Sequence, residues 1–129
     1  MAKKKAPVTY RILITGARDW RDKAIVRHAI FSTWEEAGRP KDTVVIVGRA
    51  KGADTFAEIC AEAFGFTIEP YTANWKKQHK AAGPIRNQRM VDSGADICLA
   101  FLHEGSIGTA DCIRKAEKAG IPVEIYTED

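Results

Sequence analysis

The chain has 129 residues, 45% of them hydrophobic and 29% charged, with a formal net charge of +3. That length suffices for one domain with a substantial core and falls short of two ordinary ones, and no apolar run approaches the roughly 18 residues of a membrane span. The modest charge demands no polyanionic partner and suits a small phosphorylated ligand, while three cysteines without a C-x-x-C pair and three scattered histidines predict reduced core thiols, no metal site and no cofactor.

Residues 1–8, with Lys3, Lys4 and Lys5, read as a flexible basic tail lacking the apolar core of a signal peptide, so a cytoplasmic protein with its domain over 9–129 is expected. Tyr10-Arg11-Ile12-Leu13-Ile14 predicts a buried strand over 10–15. It runs into Thr15-Gly16-Ala17-Arg18-Asp19-Trp20, and Ile25, Val26, Ala29, Ile30 and Trp34 then recur at helical spacing over 21–37. The same arrangement returns at strand 43–47, whose turn Gly48-Arg49-Ala50-Lys51-Gly52-Ala53-Asp54 opens a helix over 53–64. A strand over 66–71 precedes an irregular segment, 72–83, that sets Trp75 among Lys76, Lys77, His79 and Lys80. Such a segment suits either a nucleotide lid and a stacking surface, or a solvated basic turn with Trp75 pinned to the core.

Gly83-Pro84-Ile85-Arg86-Asn87-Gln88-Arg89-Met90 starts a helix over 85–93 in which Ile85 and Met90 face inward and Arg86 offers a planar clamp for an anion. Strand 96–101 leads into His103-Glu104-Gly105-Ser106-Ile107-Gly108-Thr109, where two glycines and two hydroxyls precede a helix over 107–119, and a strand over 121–126 ends the pattern. Glycines admit an anion close to backbone N–H groups, and the positive end of the new helix favours negative charge there. Strand and helix alternate throughout. A single Rossmann-like α/β domain is expected, with a five-stranded parallel sheet in the order 3-2-1-4-5, helices on both faces, and a crevice where strands 1 and 4 meet.

All three glycine turns then share one edge of the sheet. Gly105, Ser106, Gly108 and Thr109 would hold phosphate with Arg86 and Asn87, while Gly16, Gly48 and Gly52 would let ribose or base approach. Thr15, Arg18, Arg49 and Trp75 would add polar and stacking contacts. Asp19 and Asp54 would either accept from ribose hydroxyls or cap their helices.

Together these motifs, from residue 9 onward, resemble the SLOG superfamily and most closely its YspA-like branch, small Rossmann-like proteins of bacteria and phages. The resemblance implies a nucleotide or nucleotide-derived ligand at the carboxyl ends of the strands, held by a sensor, carrier or sequestering protein. It also points to the lonely-guy phosphoribohydrolases, which cleave the N-glycosidic bond of nucleoside monophosphates and form dimers that complete their sites. Arg86-Asn87-Gln88-Arg89-Met90 matches the R-K-x-x-M motif of those enzymes without its lysine. Glu104 to Cys112 matches P-G-G-x-G-T-x-x-E, but Cys112 stands where that motif has its functional glutamate. In a hydrolase Arg86 would therefore anchor phosphate, and Asp111, Asp19 or Glu104 would supply the acid–base group; Asp111 lies one residue earlier, about 100° round the helix. A homodimer is a further expectation, with Trp34 and Met90 available for contact. A third reading follows the superfamily's DNA-processing protein, with Lys3 to Lys5, Trp75 to Lys80 and Arg89 forming a stripe for single-stranded nucleic acid.

Overall fold

The structure, a computed structural model, describes residues 9–129; the basic tail assigned to 1–8 lies outside the described residues. Five parallel strands, β1 (Tyr10–Gly16), β2 (Thr43–Val47), β3 (Thr67–Pro70), β4 (Ile97–Phe101) and β5 (Val123–Tyr126), form one sheet in the order β3-β2-β1-β4-β5. Successive side chains on a strand point to opposite faces, so a strand covered on both sides must be apolar at every position. β2 meets that condition over Val44-Val45-Ile46-Val47, and Thr43, buried with them, donates its hydroxyl to the Pro40 carbonyl at 3.0 Å.

Helices α1 (Lys23–Glu36) and α2 (Ala53–Phe64) cover one face. Val26, Ala29, Ile30, Ala53, Ala57 and Ala61 pack there against Ile12, Ile14, Val45, Val47, Leu99 and Phe101. Between β3 and β4 run α3 (Trp75–Gln78), a single 3-10 turn (His79–Ala81) and α4 (Ala82–Asp92), and α5 (Ile107–Lys118) joins β4 to β5. α4 and α5 cover the second face, where Met90, Val91, Cys112 and Ala116 meet Leu13, Val44, Ile46 and Cys98. The small alanines of α2 let its axis come close to the sheet, and Gly65, in the left-handed region at φ 79°, ends that helix.

The chain crosses from β3 back to β4 beside β1, which makes the β1–β4 pair the switch point. Thr15 and Gly16 pair with Ala100 and Phe101, and the Ala17 amide then donates to the Phe101 carbonyl at 2.9 Å. Beyond that bond the two chains diverge into their helices, and a crevice opens.

Three expectations change. Segment 72–83 is helical from Trp75 onward rather than irregular throughout: Asn74 caps α3, its side chain accepting from the Lys77 amide at 3.1 Å, and no residue of α3 is buried, so no apolar periodicity marks it. Ile85 faces out at 37% exposure, because the buried stripe of α4 runs through Gly83, Asn87, Met90 and Val91. Met90 belongs to the interior packing and not to a free surface, whereas Trp34 is half-buried, donating from Nε1 to the Pro40 carbonyl and packing against Phe31 and Phe66. The described cysteines are all free thiols, with Cys98 and Cys112 buried and Cys60 half-buried. No helix among the described residues is long and apolar enough to cross a membrane.

Candidate functional site

The switch point opens into a cavity of about 530 Å3, within the range typical of small-molecule sites. Its floor is the end of β1, Ile14 to Ala17, and its walls come from Ala50, from Asp54 in the first turn of α2, from α3 and α4, and from the β4–α5 loop. Thr15, Gly16, Arg18, Asp19, Asp54, Trp75, Arg86, Asn87, Glu104, Gly105, Ser106, Gly108, Thr109 and Asp111 all line it. Gly48, Arg49 and Gly52 do not. Arg49 turns outward, half exposed, toward Glu58 at 3.6 Å, and borders a separate shallow hollow.

The glycines of the first two turns serve the protein's own packing. A Cβ on Gly16 would stand 2.5 Å from that of Ala53 and 2.9 Å from that of Phe101, so the missing side chain lets α2 start against β4. At Gly48 a Cβ would come within 2.5 Å of Arg86 Nη1, and at Gly52, where φ is +78°, within 2.4 Å of the Ala17 carbonyl oxygen. Gly108 differs. A Cβ there would meet nothing within 4 Å, and the same holds for Gly105 at φ +83°.

Arg86 reaches across from α4 through the space left at Gly48. Its Nη1 donates to the Gly48 carbonyl at 2.7 Å and its Nε to Asn87 Oδ1 at 2.9 Å, leaving Nη2 with no protein acceptor among the described residues. Burial pulls the guanidinium below its ordinary range, opposed by the Asp54 charge, yet it remains a cation. Asn87 is buried at 3% exposure and joins two walls. Its Nδ2 donates to the Gly108 carbonyl at 3.2 Å and to Asp111 Oδ2 at 3.0 Å, so the first turn of α5 and Arg86 are held in one unit.

Ser106 is the N-cap residue of α5 but makes no side-chain capping bond; its hydroxyl accepts instead from the His103 amide at 3.3 Å. The first helical N–H groups, at Ile107, Gly108 and Thr109, thus lack a side-chain cap at a positive helix end. Arg114 and Lys80 add positive charge at the rim, and Trp75, 48% exposed, carries the Arg18 guanidinium 5.4 Å from its ring centre.

The carboxylates divide by environment. Burial would raise the Asp111 carboxyl, but hydrogen bonds from Lys115 at 2.7 Å and from Asn87 hold it below the usual range, which commits it to bracing α5. Asp19 is lowered chiefly by its 2.8 Å bond to His103 Nδ1. Glu104 is exposed. Asp54 alone is deeply buried, at 4% exposure: Oδ2 accepts from the Ala50 amide at 3.1 Å, and Oδ1 meets no partner among the described residues. Burial pushes its carboxyl up to about 6, against the lowering effects of the Ala50 amide, the Arg86 charge and the Gly48 amide. Cys112 is fully buried in the layer beneath, against Cys98, Met90 and Leu13.

His103 was legible only as a stray histidine. In the fold its ring stacks on Trp20 at 5.2 Å and lies between Asp19 and Glu128 Oε2, the latter 2.6 Å from Nε2. Glu128 also accepts from the Arg21 and Asp22 amides at 2.9 and 2.8 Å. The bond to Asp19 raises the imidazole's pKa against the opposing effect of burial, and Glu128 raises it further. No local motif announces this clamp, because its parts lie 84 and 25 residues apart.

A model of the YspA, cpYpsA-related SLOG family matches residues 10–78, which hold the first two turns and α3. The chain belongs to this family. Gene 61 protein of Mycobacterium phage D29 is 44% identical to it over 118 residues, covering 88% of this chain and 93% of that relative. No solved structure matches. Membership of this SLOG family is consistent with a nucleotide-related ligand.

Proposed function

We propose that this SLOG-family protein binds a nucleotide or nucleotide-derived ligand by its phosphate, as a sensor, carrier or sequestering protein. One observation carries the reading: Asn87 ties the Arg86 guanidinium to the first turn of α5, so a cation with a free Nη2 and a helix end with no side-chain cap border the same cavity. An anion between them would take charge-assisted bonds from Arg86 and backbone bonds from Ile107, Gly108 and Thr109. Trp75 offers a ring on which a base can stack, and Arg114 and Lys80 supply further charge for additional phosphates.

Binding ranks ahead of hydrolysis because two of the carboxylates named for acid–base work, Asp19 and Asp111, are tied to His103 and to Lys115 with Asn87. Mass spectrometry of small molecules released from gently purified, then denatured, protein tests the reading, together with calorimetric titration by adenosine, guanosine, cytidine and uridine monophosphates. At least one phosphorylated nucleoside should co-purify or bind. Failure of every nucleotide and of inorganic phosphate to bind would overturn the proposal.

A further inference from the structure

Arg18, Lys80, Arg86 and Arg114 all line the cavity. Of its carboxylates, Asp19 is bound to His103, Asp111 to Lys115 and Asn87, and Asp54 to the Ala50 amide, while Glu104 makes no ion pair among the described residues. Arg18 stands apart: it is exposed, its guanidinium makes no hydrogen bond or ion pair among the described residues, and it rests over the Trp75 ring, 5.4 Å from the centre. Trp75 in turn reaches α4, since a Cβ on Gly83 would lie 3.4 Å from the indole Cη2 and 4.0 Å from Arg86 Nη2. Burial first, and then the like charge of Arg18, pull the Arg86 guanidinium down, so the two cations repel each other across the cavity.

A helix start carries about half a positive charge, and a phosphate monoester about 1.5 to 2 negative ones at pH 7. One phosphate at Arg86 and α5 is therefore matched by about 1.5 positive charges already in place, which leaves Arg18 and Lys80 without a counter-charge. We infer that the cavity takes a nucleotide carrying a diphosphate, the first phosphate at Arg86 and the start of α5 and the second at Arg18. This rests on the phosphate-site reading above and adds to it the number of phosphates. Trp75 is a positioning residue in this arrangement: an indole face attracts the guanidinium without using a hydrogen-bond acceptor, so Arg18 is oriented while its N–H donors stay available to phosphate oxygens.

Calorimetric titration of the full chain, without divalent cations, by AMP, ADP, inorganic phosphate and pyrophosphate tests it. ADP should bind at least about ten-fold tighter than AMP, and pyrophosphate than phosphate, the gain typical of hydrogen bonds to a charged group. Arg18→Ala should bring the members of each pair within about three-fold of each other while leaving AMP and phosphate close to their parent affinities. Arg49→Ala, which removes the same charge outside the cavity, should preserve the preference. Equal binding of AMP and ADP by the parent, or of phosphate and pyrophosphate if neither nucleotide binds, overturns the inference and leaves the phosphate site standing. So does a preference that survives in Arg18→Ala or falls as far in Arg49→Ala. Failure of all four to bind overturns both.

If Arg18→Ala fails to fold, Arg18→Gln takes its place with the same outcomes. Trp75→Leu separates the orienting of Arg18 from the stacking of a base. Phosphate and pyrophosphate have no base, so their affinity ratio reads the placement of Arg18 alone, and it should fall at least about three-fold in this variant. An unchanged ratio in Trp75→Leu overturns the positioning role of Trp75.

Discussion

Two glycine turns of this protein look equivalent in sequence and do opposite work. In the β2–α2 turn, Gly48 gives its space to the Arg86 guanidinium and Gly52 to the Ala17 and Arg18 backbone. In the β4–α5 turn, Gly105 and Gly108 have open space beside them and line the cavity. A glycine next to a helix start therefore marks either a close approach of the protein's own atoms or open space beside the cavity. Gly48 still contributes to the site, indirectly, by letting Arg86 in.

The largest expected effect concerns catalysis at the open turn. α5 continues from that turn into a buried Cys112 rather than a carboxylate, and loss of an acid–base or electrostatic group typically costs about two to four orders of magnitude in rate. Incubation with the four common nucleoside monophosphates, followed by chromatography of free base, should show slow release or none. Rapid release beyond stoichiometric amounts that disappears in Arg86→Ala would put hydrolysis ahead of binding.

Next comes the packing contrast itself. Gly52→Ala places a methyl against the Ala17 carbonyl at positive φ and should lower stability by about 2–4 kcal/mol in urea denaturation. Gly108→Ala meets open space within a helix and should be neutral or stabilising by up to about 1 kcal/mol. Equal losses in the two variants would erase the distinction between the turns.

Binding variants sharpen the same contrast. Arg86→Ala and Thr109→Ala should each weaken nucleotide affinity by about 1–3 kcal/mol with the fold retained, whereas Arg49→Ala, outside the cavity, should leave it unchanged. Calorimetry of the three variants against one nucleotide decides this.

The smallest effect lies at the His103 clamp. Its raised imidazole pKa means that its stabilisation is complete below about pH 6.5, the unperturbed value, and is lost as the pH rises through the folded pKa. Asp19 and Glu128 are lowered, so their share is present above their ordinary carboxylate values and is lost as the pH falls through the folded ones. The clamp should therefore contribute most between about pH 4.5 and 6.5. The melting temperature of His103→Gln, relative to the parent, should fall furthest in that window and recover toward pH 8.

Much of the fold is visible in the chain. The apolar run Val44 to Val47 of β2 and the alternation of strand and helix require a covered parallel sheet, and the crossover from β3 back to β4 sets its order. Gly105 to Thr109 and Arg86 are legible as cavity residues for the same reason, since turns at the carboxyl ends of parallel strands converge. What the chain hides are contacts across long sequence distances. Arg86 filling the space at Gly48, Asn87 reaching Gly108 and His103 reaching Glu128 have no local periodicity to announce them. Nor does α3, a four-residue helix without a buried face, which depends on its Asn74 cap.

The proposed ligand places its phosphate at the β4–α5 turn and not at the other glycine turn. Amide chemical shifts recorded by NMR during titration with AMP test it directly. Large, saturable shifts are expected at Ile107, Gly108 and Thr109, abolished in Arg86→Ala, with Gly48 and Gly52 little affected. Shifts concentrated at Gly48 to Gly52, with the start of α5 unmoved, would contradict it.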